Sequence, residues 1–414
     1  MIQITDKKDC CGCAACAQRC PKQCITMQAD GEGFLYPVID AGACIECGLC
    51  EKACPVINQE EPQKPIKTYA AYNKDEATRM ESSSGGIFTL LAENTIKNGS
   101  VVFGVKFNEE WMPEFSHTDT IEGIAAFRGS KYVQAIVGNA YREAEKFLKA
   151  GREVLFSGTP CQTAGLKRYL RKKYDNLLTV DIICHGVPSP KVWDMYLKET
   201  CSRLSGTMPE GKNSVGSANG GTYKSCIETI SFRSKITGWK KYSFLLKLNF
   251  SNCDGKNTVV FSEPNEKNNF MRAFLSDTIL RPSCYACPAK QGKSHSDITI
   301  ADFWGINTID PSFDDNKGCG LILVNTPKGI DAYKGLNVFS KEKRFEEGIM
   351  CNSAYYKSCL PHPKRKIFFD GLDKAKDISS HIDKTLQTSL CTRVKNFIKR
   401  CVKAILRRTG ILKK

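Results

Sequence analysis

The sequence predicts a mixed fold class, α+β / α/β, in which a small cysteine-dense module precedes an α/β body carrying added antiparallel strands. Three observations lead there. Ten of the 22 cysteines fall in residues 1–60, and the next is Cys161. From Tyr69, apolar runs of strand length alternate with runs of helical periodicity, as in a sheet whose strands are joined by crossover helices. Beyond Ile227, two stretches alternate polar and apolar residues in the manner of antiparallel strands with one wet face.

The polar, proline-punctuated stretch Glu60-Glu61-Pro62-Gln63-Lys64-Pro65 marks a linker after the first module. The expected units are 1–60, a body in two parts, 66–150 and 151–345, and a tail, 386–414. Within the body Ser82–Gly86 opens a helix reaching about Lys97, and Ser100–Phe107 is a strand. A helix over Val137–Ala150, a strand over Glu153–Phe156, a helix over Cys161–Lys173 and a strand over Leu177–Ile183 follow. This alternation predicts a largely parallel sheet. The Gly/Ser-rich stretch Ser202–Tyr223 is expected to be a surface loop, and Ile227–Phe232 and Tyr242–Phe250 to be antiparallel strands.

In the first module, Cys10-x2-Cys13-x2-Cys16-x3-Cys20-Pro21 recurs as Cys44-x2-Cys47-x2-Cys50-x3-Cys54-Pro55. This is the spacing of a bacterial two-cluster ferredoxin, whose fourth cysteine ligates the other cluster. Cys10, Cys13, Cys16 and Cys54 are therefore expected to hold one 4Fe-4S cluster, and Cys44, Cys47, Cys50 and Cys20 a second. Zinc knuckles would explain neither the third cysteine nor the proline of each repeat. Cys11 and Cys24 fall outside the spacing. A module of this kind carries single electrons and has no substrate pocket, so further chemistry belongs downstream.

Four body segments stand out: Ser82-Ser83-Ser84-Gly85-Gly86-Ile87-Phe88-Thr89, Arg128-Gly129-Ser130-Lys131-Tyr132-Val133-Gln134, Gly158-Thr159-Pro160-Cys161-Gln162 and Cys184-His185-Gly186-Val187-Pro188. The first puts small residues at a helix N-terminus, which suits either a phosphate or an ordinary close-packed cap. Gly129-Ser130-Lys131 lacks the order of a P-loop. Cys284-x2-Cys287 needs partners to hold a cluster. Cys161 and Cys184 qualify, because each follows a strand at what would be the carboxyl edge of the sheet. A third cluster, a zinc site and unligated thiols all fit the residues alone.

These segments, with Arg281-Pro282-Ser283-Cys284-Tyr285-x-Cys287 and Ser296-Asp297-Ile298-Thr299-Ile300-Ala301-Asp302-Phe303-Trp304-Gly305, together resemble the family of coenzyme F420 hydrogenase/dehydrogenase beta subunits over roughly residues 1–330. Gly318-Cys319-Gly320 departs from that pattern, with glycine where many relatives are expected to carry serine. The resemblance implies an iron-sulfur flavoprotein with FAD beside a cluster. It makes Ser83, Ser84, Gly85, Gly86, Thr89, Gly129, Ser130, Lys131, Tyr132 and Thr159 flavin contacts, and Cys161, Cys184, Cys284 and Cys287 ligands of a third 4Fe-4S cluster. Lys131 is then a candidate cation near the flavin and His185 a candidate proton donor. Flavin takes one or two electrons, so such a protein would link one-electron clusters to a two-electron organic substrate, of coenzyme F420 type or another reducible small molecule. The rival is an adaptor that serves a partner enzyme without a substrate of its own. An electron donor or acceptor protein is the expected partner in both cases.

The net charge of +16 comes from 60 Lys+Arg against 44 Asp+Glu. No acid follows Asp383, and ten of the basic residues lie from Lys384 onward, so the charge is concentrated in the tail. Val394, Phe397, Ile398, Cys401, Ile405 and Leu406 form an apolar stripe there. The stripe suits either an anionic membrane surface or docking on protein. Nucleic acid is not expected, since the tail has one aromatic, Phe397, and no known binding module. No secretory signal or membrane-length apolar run is seen, so the expected location is the cytoplasm, with the tail able to bring the chain to the inner face of a membrane.

Overall fold

The computed structural model describes residues 1–206, 223–252 and 255–387. The tail expected over 386–414 lies outside the described residues from 388 onward, as does the loop expected over Ser202–Tyr223 between 207 and 222. Ser202–Gly206 depart from the loop expectation: they complete the helix Pro190–Gly206, whose buried Trp193, Tyr196, Leu197 and Cys201 hold it on the core.

A hairpin of β1 (Ile25–Ala29) and β2 (Leu35–Ile39) belongs to the cysteine module. The body contributes β3 (Lys67–Asn73), β4 (Val101–Phe107), β5 (Pro113–Thr118), β6 (Val154–Ser157) and β7 (Leu177–Ile182). A meander of β8 (Ile227–Ser234), β9 (Ser243–Asn252) and β10 (Gly255–Pro264) follows, then β11 (Ile298–Asp302), β12 (Gly320–Val324) and β13 (Val338–Glu342).

Eight strands form one sheet in the order β13-β3-β12-β11-β7-β6-β4-β5. It is mixed rather than largely parallel: only β4-β6, β6-β7 and β7-β11 pair parallel. A parallel neighbour needs a crossover of a dozen or more residues. The helices Ala140–Lys149 and Pro160–Leu170 provide this between β4, β6 and β7. The turn at 108–112 is too short for one, so β5 returns antiparallel to β4. On the other flank β12, β3 and β13 pair antiparallel. The four parallel strands are nearly continuous apolar runs, as burial on both faces requires; Val101, Phe103, Val154, Leu155, Phe156, Val180 and Ile298 are buried. Their carboxyl ends converge on one edge.

The cysteine module is seated on this body. Gln18 accepts from the backbone N–H of Tyr141 and Arg142. Arg365 makes a two-pronged ion pair with Glu32. Among the described residues no helix is long and apolar enough to cross a membrane.

Candidate functional site

The two cysteine repeats take the same backbone. Gly12 and Glu46, one residue before the second cysteine of each repeat, and Ala14 and Gly48, one residue after it, all have positive φ. Ala14 and Glu46 adopt that disfavoured region without being glycine, which signals a shared loop geometry rather than local chance. The third cysteine of each loop then enters a short helix, Ala15–Arg19 or Leu49–Lys52. Cys44, Cys47 and Cys50 line a small cavity of about 20 Å³ together with Cys20, the crossed-over partner, and Cys24. In the other set, burial pushes the Cys16 thiol up to about 12, with Cys10 and Cys54 adding to the shift. Thiols gathered and raised in this way stay ionised only if positive charge binds them, as a metal cluster does.

Cys161, Cys184, Cys284 and Cys287 are brought together from distant parts of the chain. Burial raises Cys184 to about 12, opposed by Lys290 and reinforced by Cys161 and Cys287. Cys284 is raised by burial, then by Cys184, Cys287 and Cys161. The Val187 N–H approaches Cys284 Sγ at 3.4 Å, and Thr159 Oγ1 lies 3.2 Å from Cys161 Sγ. Among the described residues no group of three or more His, Cys, Asp or Glu side chains is gathered tightly enough for a single metal ion. Four cysteine thiols are a donor set that a 4Fe-4S cluster takes. Cys11, outside the spacing, is buried between the two neighbourhoods, and its thiol is pushed up by Cys13 and by burial.

The flavin segments named from the sequence line one cleft at the carboxyl edge of the parallel strands. It has a volume of about 540 Å³ and opens to solvent, and Ser83, Ser84, Gly85, Gly86, Thr89, Gly129, Ser130, Lys131, Tyr132 and Thr159 all border it, with Cys184 and His185. The serine and lysine segments are tied together, the Ser130 N–H donating to Ser83 Oγ at 2.8 Å. Gly86 caps the helix Ile87–Lys97 with φ +79° and no side-chain hydrogen bond, so the first turn keeps free N–H groups on the cleft wall. Gly85 is glycine for a different reason from approach to a phosphate: a Cβ there would stand 2.5 Å from the Ala71 carbonyl oxygen and 2.7 Å from the Gly320 nitrogen, both in the sheet behind it. Gly129, φ +81°, has open space where its Cβ would be.

Lys131 Nζ donates to the carbonyls of Arg128 and Gly129 at 3.1 and 3.2 Å. Among the described residues no carboxylate pairs with it, and burial lowers its pKa to about 7. Thr89 is 1% exposed and its Oγ1 has no partner. Arg128 Nε and Arg233 Nε are likewise buried and unpartnered on the cleft wall. Three orphaned polar atoms around one cleft fit a polar ligand such as FAD. His185 Nε2 is held 2.6 Å from Asp277 Oδ1, with the Phe274 ring edge-on.

Some residues escaped the sequence reading. Arg233 is gripped by Asp302, which also accepts from Trp239 Nε1, and Trp239 stacks on Trp304 at 4.9 Å. Asp302 and Trp304 sat inside a quoted motif, but Arg233 lies in an ordinary-looking strand and gave no signal. Lys290, which donates to the carbonyls of Cys184 and Ala354 at 2.8 Å each, follows the Cys284-x2-Cys287 motif closely enough to have been suspected.

Residues 151–343 match the model for the C-terminal part of the coenzyme F420 hydrogenase/dehydrogenase beta subunit, and residues 68–140 match the model for its N-terminal part. Residues 9–58 match the 4Fe-4S dicluster domain. The F subunit of the F(420)H(2) dehydrogenase of Methanosarcina mazei is 29% identical over 199 residues, 44% of this chain and 55% of its own length. The chain thus spans about half the length of that relative. A 7Fe ferredoxin of Hydrogenibacillus schlegelii is 37% identical over 65 residues, 15% of this chain and 77% of its own. A solved structure, the xenon-derivatised F420-reducing [NiFe] hydrogenase complex from Methanosarcina barkeri, aligns with TM-score 0.43 and 15% identity over 79% of this chain and 92% of the other.

Proposed function

Since the chain belongs to the family of coenzyme F420 hydrogenase/dehydrogenase beta subunits and carries a 4Fe-4S dicluster domain, we propose that it is an iron-sulfur flavoprotein oxidoreductase acting on a small two-electron substrate, coenzyme F420 or a similar reducible molecule. The observation that carries this reading is the single cleft in which the Ser83–Thr89, Gly129–Tyr132 and Thr159 segments meet Cys184 and His185.

Cys10, Cys13, Cys16 and Cys54 would hold one cluster, Cys20, Cys44, Cys47 and Cys50 a second, and Cys161, Cys184, Cys284 and Cys287 a third; the serine, glycine and lysine segments would hold FAD. When bound, the clusters supply single electrons and the flavin exchanges one or two, which reconciles one-electron donors with a two-electron substrate. The chain's own residues bind, shield and protonate. The uncapped N-terminal turn at Gly86–Thr89 and the Lys131 ammonium offer positive charge to phosphate oxygens. Tyr132, Tyr242, Phe274 and Trp304 wall the cleft with apolar surface that excludes water. Asp277 fixes the His185 ring through Nε2, leaving Nδ1 as the atom that can hold a proton for a substrate. Electrons pass to or from a separate redox protein. We place the chain in the cytoplasm.

Anaerobic purification followed by iron, sulfide and flavin analysis tests this. The expected result is about 12 iron and 12 sulfide with one FAD, falling to about eight iron in Cys284→Ser. About eight iron in both proteins would remove the third cluster. An absence of flavin, together with an inability to take up added FAD, would remove the oxidoreductase reading in favour of an adaptor.

A further inference from the structure

Arg281 is fully buried, at 0% exposure, and its guanidinium is surrounded by neutral acceptors. Nε donates to the Cys10 carbonyl at 2.8 Å, Nη1 to Gln134 Oε1 at 2.9 Å and Nη2 to the Leu35 carbonyl at 2.9 Å. Its flat face lies 4.2 Å from the centre of the Tyr36 ring. Among the described residues no carboxylate pairs with it. An arginine does not shed its proton in a protein, and a buried charge without a counter-charge is among the most costly arrangements a fold can hold. The other two buried arginines among the described residues, Arg79 and Arg233, each face a carboxylate.

The segments that meet Arg281 carry cysteines. A Cβ on Gly12 would stand 2.9 Å from Nη1, so the guanidinium touches the loop that carries Cys10, Cys13 and Cys16. Its own backbone caps the turn Pro282–Ala286 that presents Cys284. The Cys284 N–H donates to the Arg281 carbonyl at 2.9 Å, which ties Arg281 to the third site. We infer that Arg281 is the shared counter-charge of the first and third cluster sites, a positioning residue that raises the reduction potential of both clusters by stabilising their more negative, reduced states. Four thiolates around an iron-sulfur core leave net negative charge, and nearby charge is one of the settings of cluster potential. The inference rests on the cluster assignments of the preceding section.

The test is redox titration of the anaerobically purified holoprotein, each cluster followed by its electron paramagnetic resonance signal, in wild type, Arg281→Lys and Arg281→Met. The Met variant is expected to change the reduced-to-oxidised ratio of two clusters at least tenfold at fixed potential, a shift of about 59 mV or more to lower potential. The Lys variant, which keeps the charge, is expected to shift by less than half as much. The cluster of Cys20, Cys44, Cys47 and Cys50 is the internal control and should not move. Unchanged potentials in the Met variant, an equal shift of all clusters, or a Lys variant shifted as far as Met would overturn the inference. If the Met variant loses its iron, the Lys variant decides: full iron and near-native potentials support the role of charge, and iron loss there too overturns it. A wild type with only two clusters would remove the third site, while the Cys10 cluster would still report on Arg281.

Discussion

Lys131 offers the sharpest consequence of the cleft geometry. Its pKa of about 7 lies far below the ordinary lysine value of about 10.4, through burial without an opposing carboxylate. The free protein therefore carries a charged Lys131 below pH 7 and a neutral one above it. An anionic ligand on the same wall favours the charged form and restores the ordinary pKa. Binding must then take up protons: about 0.1 at pH 6, about 0.5 at pH 7 and about 0.9 at pH 8. Affinity falls as pH rises through 7, approaching about tenfold per unit above pH 8. The assay is calorimetric titration of flavin-stripped, cluster-replete protein with FAD in two buffers of different ionisation enthalpy. Lys235, also near 7 and held by the carbonyls of Arg79, Ser84 and Lys317 behind the serine segment, titrates in the same range, so the informative quantity is the difference between wild type and Lys131→Met. Equal uptake in both proteins at pH 8 would refute a Lys131–anion contact.

Gly85→Ala is expected to lower the thermal midpoint and soluble yield with iron and flavin lost together, because its Cβ collides with backbone of β3 and β12; selective flavin loss at normal stability would contradict this. Thr89→Val removes an unpartnered buried hydroxyl. The flavin-free protein should gain stability, by about 1–3 kcal/mol at most, while FAD binds roughly 2- to 10-fold more weakly, as flavin fluorescence titration would report; tighter or unchanged binding would place the ligand away from Thr89. A chain ending at Ser389 should sediment less with anionic liposomes than the full chain at low salt, and equal partitioning would sink the membrane reading of the tail.

The N-terminal module was legible because its information is local. Four cysteines and a proline at fixed spacing determine a loop, and the repeat tells which loop lends its last cysteine to the other; in the folded chain Cys20 lines one cavity with Cys44, Cys47 and Cys50. The helix at Ile87, the strands from Val101, Val154 and Leu177, and the first two strands of the meander from Ile227 were legible for the same reason: periodicity of 3.6 or 2 is written within a dozen residues. Strand order was not. Whether β12 lies beside β11 and β3 depends on which apolar faces find each other across more than two hundred residues, and no local pattern records that choice. The same limit separates Gly85 from Gly129. Both stand in small-residue motifs, yet one is dictated by the sheet behind it and the other faces open space. It separates Arg281 from its neighbours as well: the sequence shows an arginine three residues before a cysteine, and only the packed structure reveals that its charge is sealed from water with no acid to meet it. Sequence determined the ligand types and their loops, because covalent spacing sets what one turn can present. Tertiary structure decided which charges and cysteines share a dry interior, because burial and electrostatics belong to the fold as a whole.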